Sequence, residues 1–147
     1  MGPALILISS MALALGSDNT PGDLALMQGT WNVAAAERDG EKAPAEEIKT
    51  LQVVIDGNTI TIVPGKNAPG PRQEKGTLTL KPSAKPKAFD IAPADGKGAK
   101  TAHGIYELDG STLRMCWTKD GGERPREFAT KPNSNRAMFV FKREKGE

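Results

Sequence analysis

From residue 29 onward the chain alternates apolar and polar residues over short runs, the period-two pattern of half-buried strands. Eight runs carry it: GTWNVAAAE from residue 29, LQVVID from 51, NTITIVP from 58, KGTLTLKP from 75, KAFDIAP from 87, TAHGIYELD from 101, STLRMCW from 111 and RAMFVFKR from 136. Leu78 and Leu80 alternate with Thr77 and Thr79, and Leu113, Met115 and Trp117 alternate with Arg114, Cys116 and Thr118. Each strand therefore has one face fit for a core. Between the first two runs, PAEEIKT at 44–50 opens on proline, carries two carboxylates early and ends on lysine, which predicts one short helix. RPREF at 124–128 reads as a short extra strand or as loop.

The connections arrange these strands. IDGNTITI from 55 and LDGSTLRM from 108 each hold Asp-Gly between apolar runs, the residues that tight hairpins need for positive φ. The first, third, fifth and seventh connections, 38–50, 65–73, 93–100 and 119–135, are long, whereas the second and sixth are tight and the fourth, PSAKP, is intermediate. In an up-and-down meander, odd connections share one end and even ones the other. The expected fold is all-β: an eight-stranded up-and-down antiparallel β-barrel, open at the long-loop end, with one short helix between strands 1 and 2. Residues 38–50 are expected across or beside that mouth.

Composition changes this picture little. Lys and Arg number 20 against 18 Asp and Glu, a formal charge of +2 without basic runs, so no nucleic-acid partner is expected. Residues 1–16, MGPALILISSMALALG, lack a charged side chain and have an apolar centre too short to span a bilayer. They read as a signal peptide cleaved after Gly16, although the n-region lacks Lys or Arg. A disordered segment at 17–25 and a barrel domain at 26–144 follow, exported to a periplasmic or extracellular location, with no membrane span once the signal is removed. The single cysteine, Cys116, excludes an intramolecular disulfide.

Gly29-Thr30-Trp31 resembles the Gly-x-Trp signature of lipocalin and calycin barrels, in which the tryptophan plugs the closed end. LMQGTWNVAAAERDG, GIYELDGSTLRMCW and ERPREFAT together resemble a family of small exported planctomycete domains of lipocalin-like character, over most of 26–143. That family more often has leucine at the position of Met27 and an acidic residue at the position of Ser111. The resemblance implies architecture and export and brings no activity with it. It also implies a late cation on the signature tryptophan. Closing strand 8 onto strand 1 brings Phe141, Lys142 and Arg143 beside Trp31, and Arg143 is preferred because guanidinium stacks better than ammonium, with Lys142 the alternative on parity.

No catalytic constellation is visible, so no enzyme, metal or cofactor is expected. His103 is the only histidine, and Cys116 lies on the parity of Arg114, the outer face. Glu46 and Glu47 are adjacent on a helix and point about 100° apart, so they suit the helix dipole better than acid–base work. GKNAPGPRQEKG lacks the strand and helix that frame a phosphate loop. The inward residues Tyr106, Leu108, Leu113, Met115 and Trp117 either line a cavity for a small hydrophobic ligand or pack as solid core; Ala34, Ala35, Ala36 and Gly104 leave volume that favours the cavity. The rival expectation is an envelope domain with a solid barrel and a protein partner.

Overall fold

The computed structural model describes residues 22–64, 74–94 and 100–144. The first helix, α1, is Asp23–Leu26, followed by β1 at Gly29–Arg38, β2 at Glu41–Lys42 and α2 at Ala45–Ile48. Then come β3 at Gln52–Asp56, β4 at Thr59–Val63, β5 at Glu74–Lys81, β6 at Ala88–Pro93, β7 at Ala102–Asp109, β8 at Thr112–Thr118 and β9 at Arg136–Arg143. All eight expected strands form, and each pairs antiparallel with its neighbour in the meander. β9 returns to pair with β1 from Arg143↔Trp31 to Ala137↔Arg38, which closes the barrel. The two-residue β2 is no stave; it folds back on β1 through Glu37↔Lys42 and Arg38↔Glu41. The two tight hairpins turn on Gly57 and Gly110 at φ 63° and 59°, a region that costs glycine nothing. Residues 124–128 form no strand and belong to the last long connection. The signal-peptide reading of 1–16 lies outside the described residues.

Strand alternation sorts the side chains as the pattern requires. Trp31, Val53, Ile55, Leu78, Phe89, Leu113 and Phe141 are buried in one inner cluster. A second, smaller layer covers the outer face of β6, β7 and β8. There Ala88, Ile105 and Cys116 are buried, although they point away from the lumen, and buried Pro125 belongs to the long connection that crosses them. Arg114 stacks on Phe128 of the same connection at 4.3 Å.

The closed end is built around Trp31, which is fully buried. Its indole Nε1–H donates to the Met27 carbonyl at 2.9 Å. The Arg143 guanidinium lies 4.2 Å from the indole centroid, donates to the Gln28 carbonyl at 2.7 Å and also donates to that of Leu26. One side chain thus stacks on the plug and ties down the carbonyls at the end of α1, which have no helical partners of their own. Gly29 adopts φ 115°, where a side chain would be strained, and lets the chain leave α1 and enter β1 in two residues. The disordered segment expected at 17–25 is corrected for its described part: Asp23–Leu26 is helical. Asp23 is anchored to the barrel by Tyr106, whose hydroxyl donates to its Oδ2 at 2.6 Å, and by Lys87 at 3.0 Å. Those contacts come from distant strands, so nothing local in the sequence announces them.

Urea unfolding tests the plug. Trp31→Ala should cost about 3–5 kcal/mol through the cavity it leaves, and Arg143→Lys about 1–3 kcal/mol because a point charge cannot stack and fork at once. The double variant should fall short of the sum, since each substitution removes part of one contact. Strict additivity would mean that the two side chains stabilise the floor independently.

Candidate functional site

The barrel is solid at the floor and hollow at the mouth. A cavity of about 500 Å³ occupies the upper half, within the range of small-molecule sites. Its wall along β8 and β9 is aromatic: Trp117 and Phe139 stack at 5.2 Å between centroids and 26° between planes, and Phe139 stacks on Phe141 at 5.8 Å and 23°. Val53, Ile60, Ile62 and Ile91 form an aliphatic wall from β3, β4 and β6. Ala43, Glu47, Ile48 and Leu51 line the remaining side, so the first long connection lies beside the mouth and α2 puts Ile48 into the core. Among the described residues the cavity's ionisable groups are Glu47 and, at the mouth ends of β1 and β5, Arg38 and Glu74.

Of the five residues expected to line a ligand site, Met115 and Trp117 do so. Tyr106 and Leu113 are buried nearer the floor, and Leu108 is partly buried against the same core; none of these three lines the cavity. Parity places all five on the inner face, but height along the barrel depends on strand direction. β7 runs from mouth to floor and β8 rises from it, so residues 106–113 bracket the closed end. The Tyr106 phenol serves there as the clamp on Asp23: burial first, then the neighbouring carboxylate, pushes its pKa above the ordinary tyrosine range. The same hydrogen bond holds the Asp23 carboxyl below its usual value. The small residues expected to leave space also divide. Ala36 lines the cavity, Ala34 and Ala35 are exposed, and the Phe89 ring packs where a Gly104 Cβ would stand.

Sequence pattern alone missed Arg38, Ile48, Phe139 and Phe141. The two phenylalanines were legible as inward residues of RAMFVFKR, and their position before the C-terminal end of a strand descending from the mouth gives their height.

The outer layer contains a polar cluster around Asp90. Its Oδ1 accepts from His103 Nδ1–H at 2.8 Å and from Arg124 Nη2 at 2.8 Å, while Oδ2 pairs with Lys81 at 3.0 Å. Arg124 Nη1 also donates to the carbonyls of Phe89 and Gly104, each at 2.8 Å. A carboxylate on an imidazole suggests acid–base chemistry, but here three donors share it, and among the described residues Asp90 is the side chain hydrogen-bonded to the ring. Cys116 is buried, its thiol directed to the Ala129 carbonyl at 3.7 Å, and burial pushes its pKa up. The cluster is a fastener for the crossing connection. Among the described residues no group of three His, Cys, Asp or Glu could hold a metal ion, and no helix is long and apolar enough to cross a membrane. The residues expected as a structural signature, Gly29, Trp31 and Arg143, meet at the floor, away from the cavity.

Comparison of the chain with protein-family models, with curated proteins and with solved structures finds no match in any of the three.

The fastener has a pH signature. Burial alone would raise the Asp90 pKa, but hydrogen bonds from His103, Lys81 and Arg124 outweigh it and hold the value at about 2. A carboxyl depressed in the folded state gives stability that is complete above its unfolded value, about 4, and lost as pH falls through the folded one. Asp90→Asn should therefore unfold more readily than the parent at neutral pH, with the gap shrinking from about pH 4 down to 2. Asp23, also held below its usual value, titrates in both proteins, so the difference between their urea midpoints isolates Asp90. A gap independent of pH would remove the electrostatic account.

Proposed function

We propose that the protein is an exported, lipocalin-like binding module that holds a small, mainly apolar molecule in the mouth half of its barrel. The observation that carries this reading is the cavity of about 500 Å³ with its aromatic and aliphatic walls. Side chains at native packing density would fill such a space if the barrel served only as a scaffold, which weighs against the solid-core interaction domain. Among the described residues its lining contains Arg38, Glu47 and Glu74 but no histidine, serine, threonine or cysteine, a set suited to binding rather than turnover. The lipocalin-like part draws support from the glycine, tryptophan and arginine at the closed end. Export rests on the apolar pattern of residues 1–16, and the free cysteine, being buried, is shielded from oxidants outside the cell.

A matched pair of substitutions tests the cavity. Ala36 is buried and lines it, whereas Ala35 beside it is exposed. The neutral fluorophore N-phenyl-1-naphthylamine, titrated into the folded protein, should bind at one site with a gain in emission. Ala36→Trp should weaken that binding by about tenfold or more by filling the space, while Ala35→Trp leaves it unchanged, with both variants retaining cooperative unfolding. Equal affinity in all three proteins, or no binding to the parent, would overturn the proposal.

A further inference from the structure

We propose that the ligand carries an oxyanionic end group, of the carboxylate or sulfonate class, held by Arg38 at the rim, and a planar apolar body stacked along the wall of Trp117 and Phe139. The inference rests on the cavity being a binding site and adds the chemical class of its occupant.

The first observation is how Arg38 comes to face the lumen. Trp31 and Val33 point inward from β1, and strict alternation from them would send residue 37, a glutamate, into the barrel and residue 38 out. The ladder between β9 and β1 slips between Val140 and Phe141: Phe141 pairs with Val33 but Val140 pairs with Ala35, so Ala34 has no partner opposite it. That one-residue bulge exchanges the two faces of the strand. Beyond it, Ala36 and Arg38 line the cavity, and Glu37 does not. The fold thus places a cation at the rim where an uninterrupted strand would place an anion.

The second observation is what surrounds the guanidinium. Its Cζ lies 5.8 Å from the Phe139 centroid, and Phe139 is stacked in turn on Trp117. Arg38 belongs to none of the ion pairs among the described residues. Glu47 and Glu74 edge the same cavity, yet neither reaches it at salt-bridge distance. A guanidinium seated on an aromatic wall and in no ion pair with a described carboxylate offers two parallel N–H donors to an incoming oxyanion. A flat ring system beneath it would meet Phe139 and Trp117 in the offset or edge geometry that aromatic pairs favour. The competing chemistry is an ammonium end group on Glu47 and Glu74, and it predicts the opposite charge preference.

Two probes that differ by one group separate these cases. 8-Anilinonaphthalene-1-sulfonate has the rings of N-phenyl-1-naphthylamine plus a sulfonate. The parent protein, shown to be folded by cooperative unfolding, should bind the sulfonate about tenfold more tightly than the neutral probe, as one charge-assisted contact predicts. Arg38→Gln should erase that gap by weakening the sulfonate alone, Arg38→Lys should leave part of it, and Arg126→Gln, a cation on the outer wall, should leave both affinities unchanged. Equal or weaker binding of the sulfonate by the parent, or a gap that survives Arg38→Gln, would overturn the inference while leaving the cavity a binding site. Failure of the neutral probe to bind would overturn the binding reading itself, and this inference with it.

Discussion

Everything in this barrel depends on closing the last strand onto the first. β9 and β1 are joined across nearly the whole domain, so their pairing carries a large loop-closure cost that no local turn offsets. The contacts that meet this cost gather at one point. Trp31 fills the floor, Arg143 stacks on it from β9, and the same guanidinium reaches the carbonyls of Gln28 and Leu26 that lead into β1. Closure removes the two edges that an open eight-stranded sheet would otherwise present to other chains, and the plug gives the closed ring a dry end.

With the floor fixed, volume is distributed unevenly along the axis. Near Trp31 the large residues Tyr106, Leu113 and Ile55 pack solidly, and α1 closes the end through Asp23. Toward the mouth Ala36 and Ala43 stand among larger groups such as Trp117 and Phe139, and the space between them stays open. The stiffness that lets the upper half remain hollow comes in part from outside. The connection after β8 lies over β6, β7 and β8, pinned by Arg124 to the Asp90 carboxylate and to two strand carbonyls. A buried thiol and two buried aliphatic residues beneath it make a second small core. The barrel wall of β6, β7 and β8 is therefore packed on both faces.

Much of this architecture was legible in the chain because period-two alternation and Asp-Gly turns are local signals. Eight strands, the tight hairpins and the placing of Phe141–Arg143 beside Trp31 follow from counting residues and strand directions, while the choice of Arg143 over Lys142 comes from the stacking of a guanidinium and from the resemblance to calycin barrels. Three features did not. The height of a residue in the barrel requires register, which is why Tyr106, Leu108 and Leu113 were grouped with Met115 and Trp117. The order of α1 depends on a hydroxyl and an ammonium from strands more than sixty residues away. Arg124 lies in a segment that reads as a short strand or as loop, and only the fold brings Asp90 beneath it. Each is a tertiary contact whose partner the local sequence does not name.

The bulge at Ala34 is the most consequential of these hidden features, because it couples the shape of the barrel to its chemistry. β1 pairs with β3 only from Gly29↔Ile55 to Asn32↔Gln52, and the Val33 N–H still reaches the Leu51 carbonyl at 3.1 Å. Beyond that point β1 departs from β3 while continuing along β9, as a bulged strand bends and twists. The departure would leave its edge groups unpaired. β2 covers Glu37 and Arg38, and the Ala43 N–H donates to the Ala36 carbonyl at 2.9 Å, so the returning chain satisfies that edge and delivers α2 to the gap. One inserted residue thus opens the wall where Ile48 enters, turns Ala36 inward to leave room and sets Arg38 at the rim. A strand without it would pair further along β3, narrow the mouth and present Glu37 to the lumen. The space and the charge of the site accordingly have a common origin in a single backbone irregularity, which turns Ala36 and Arg38 to the same face of the strand.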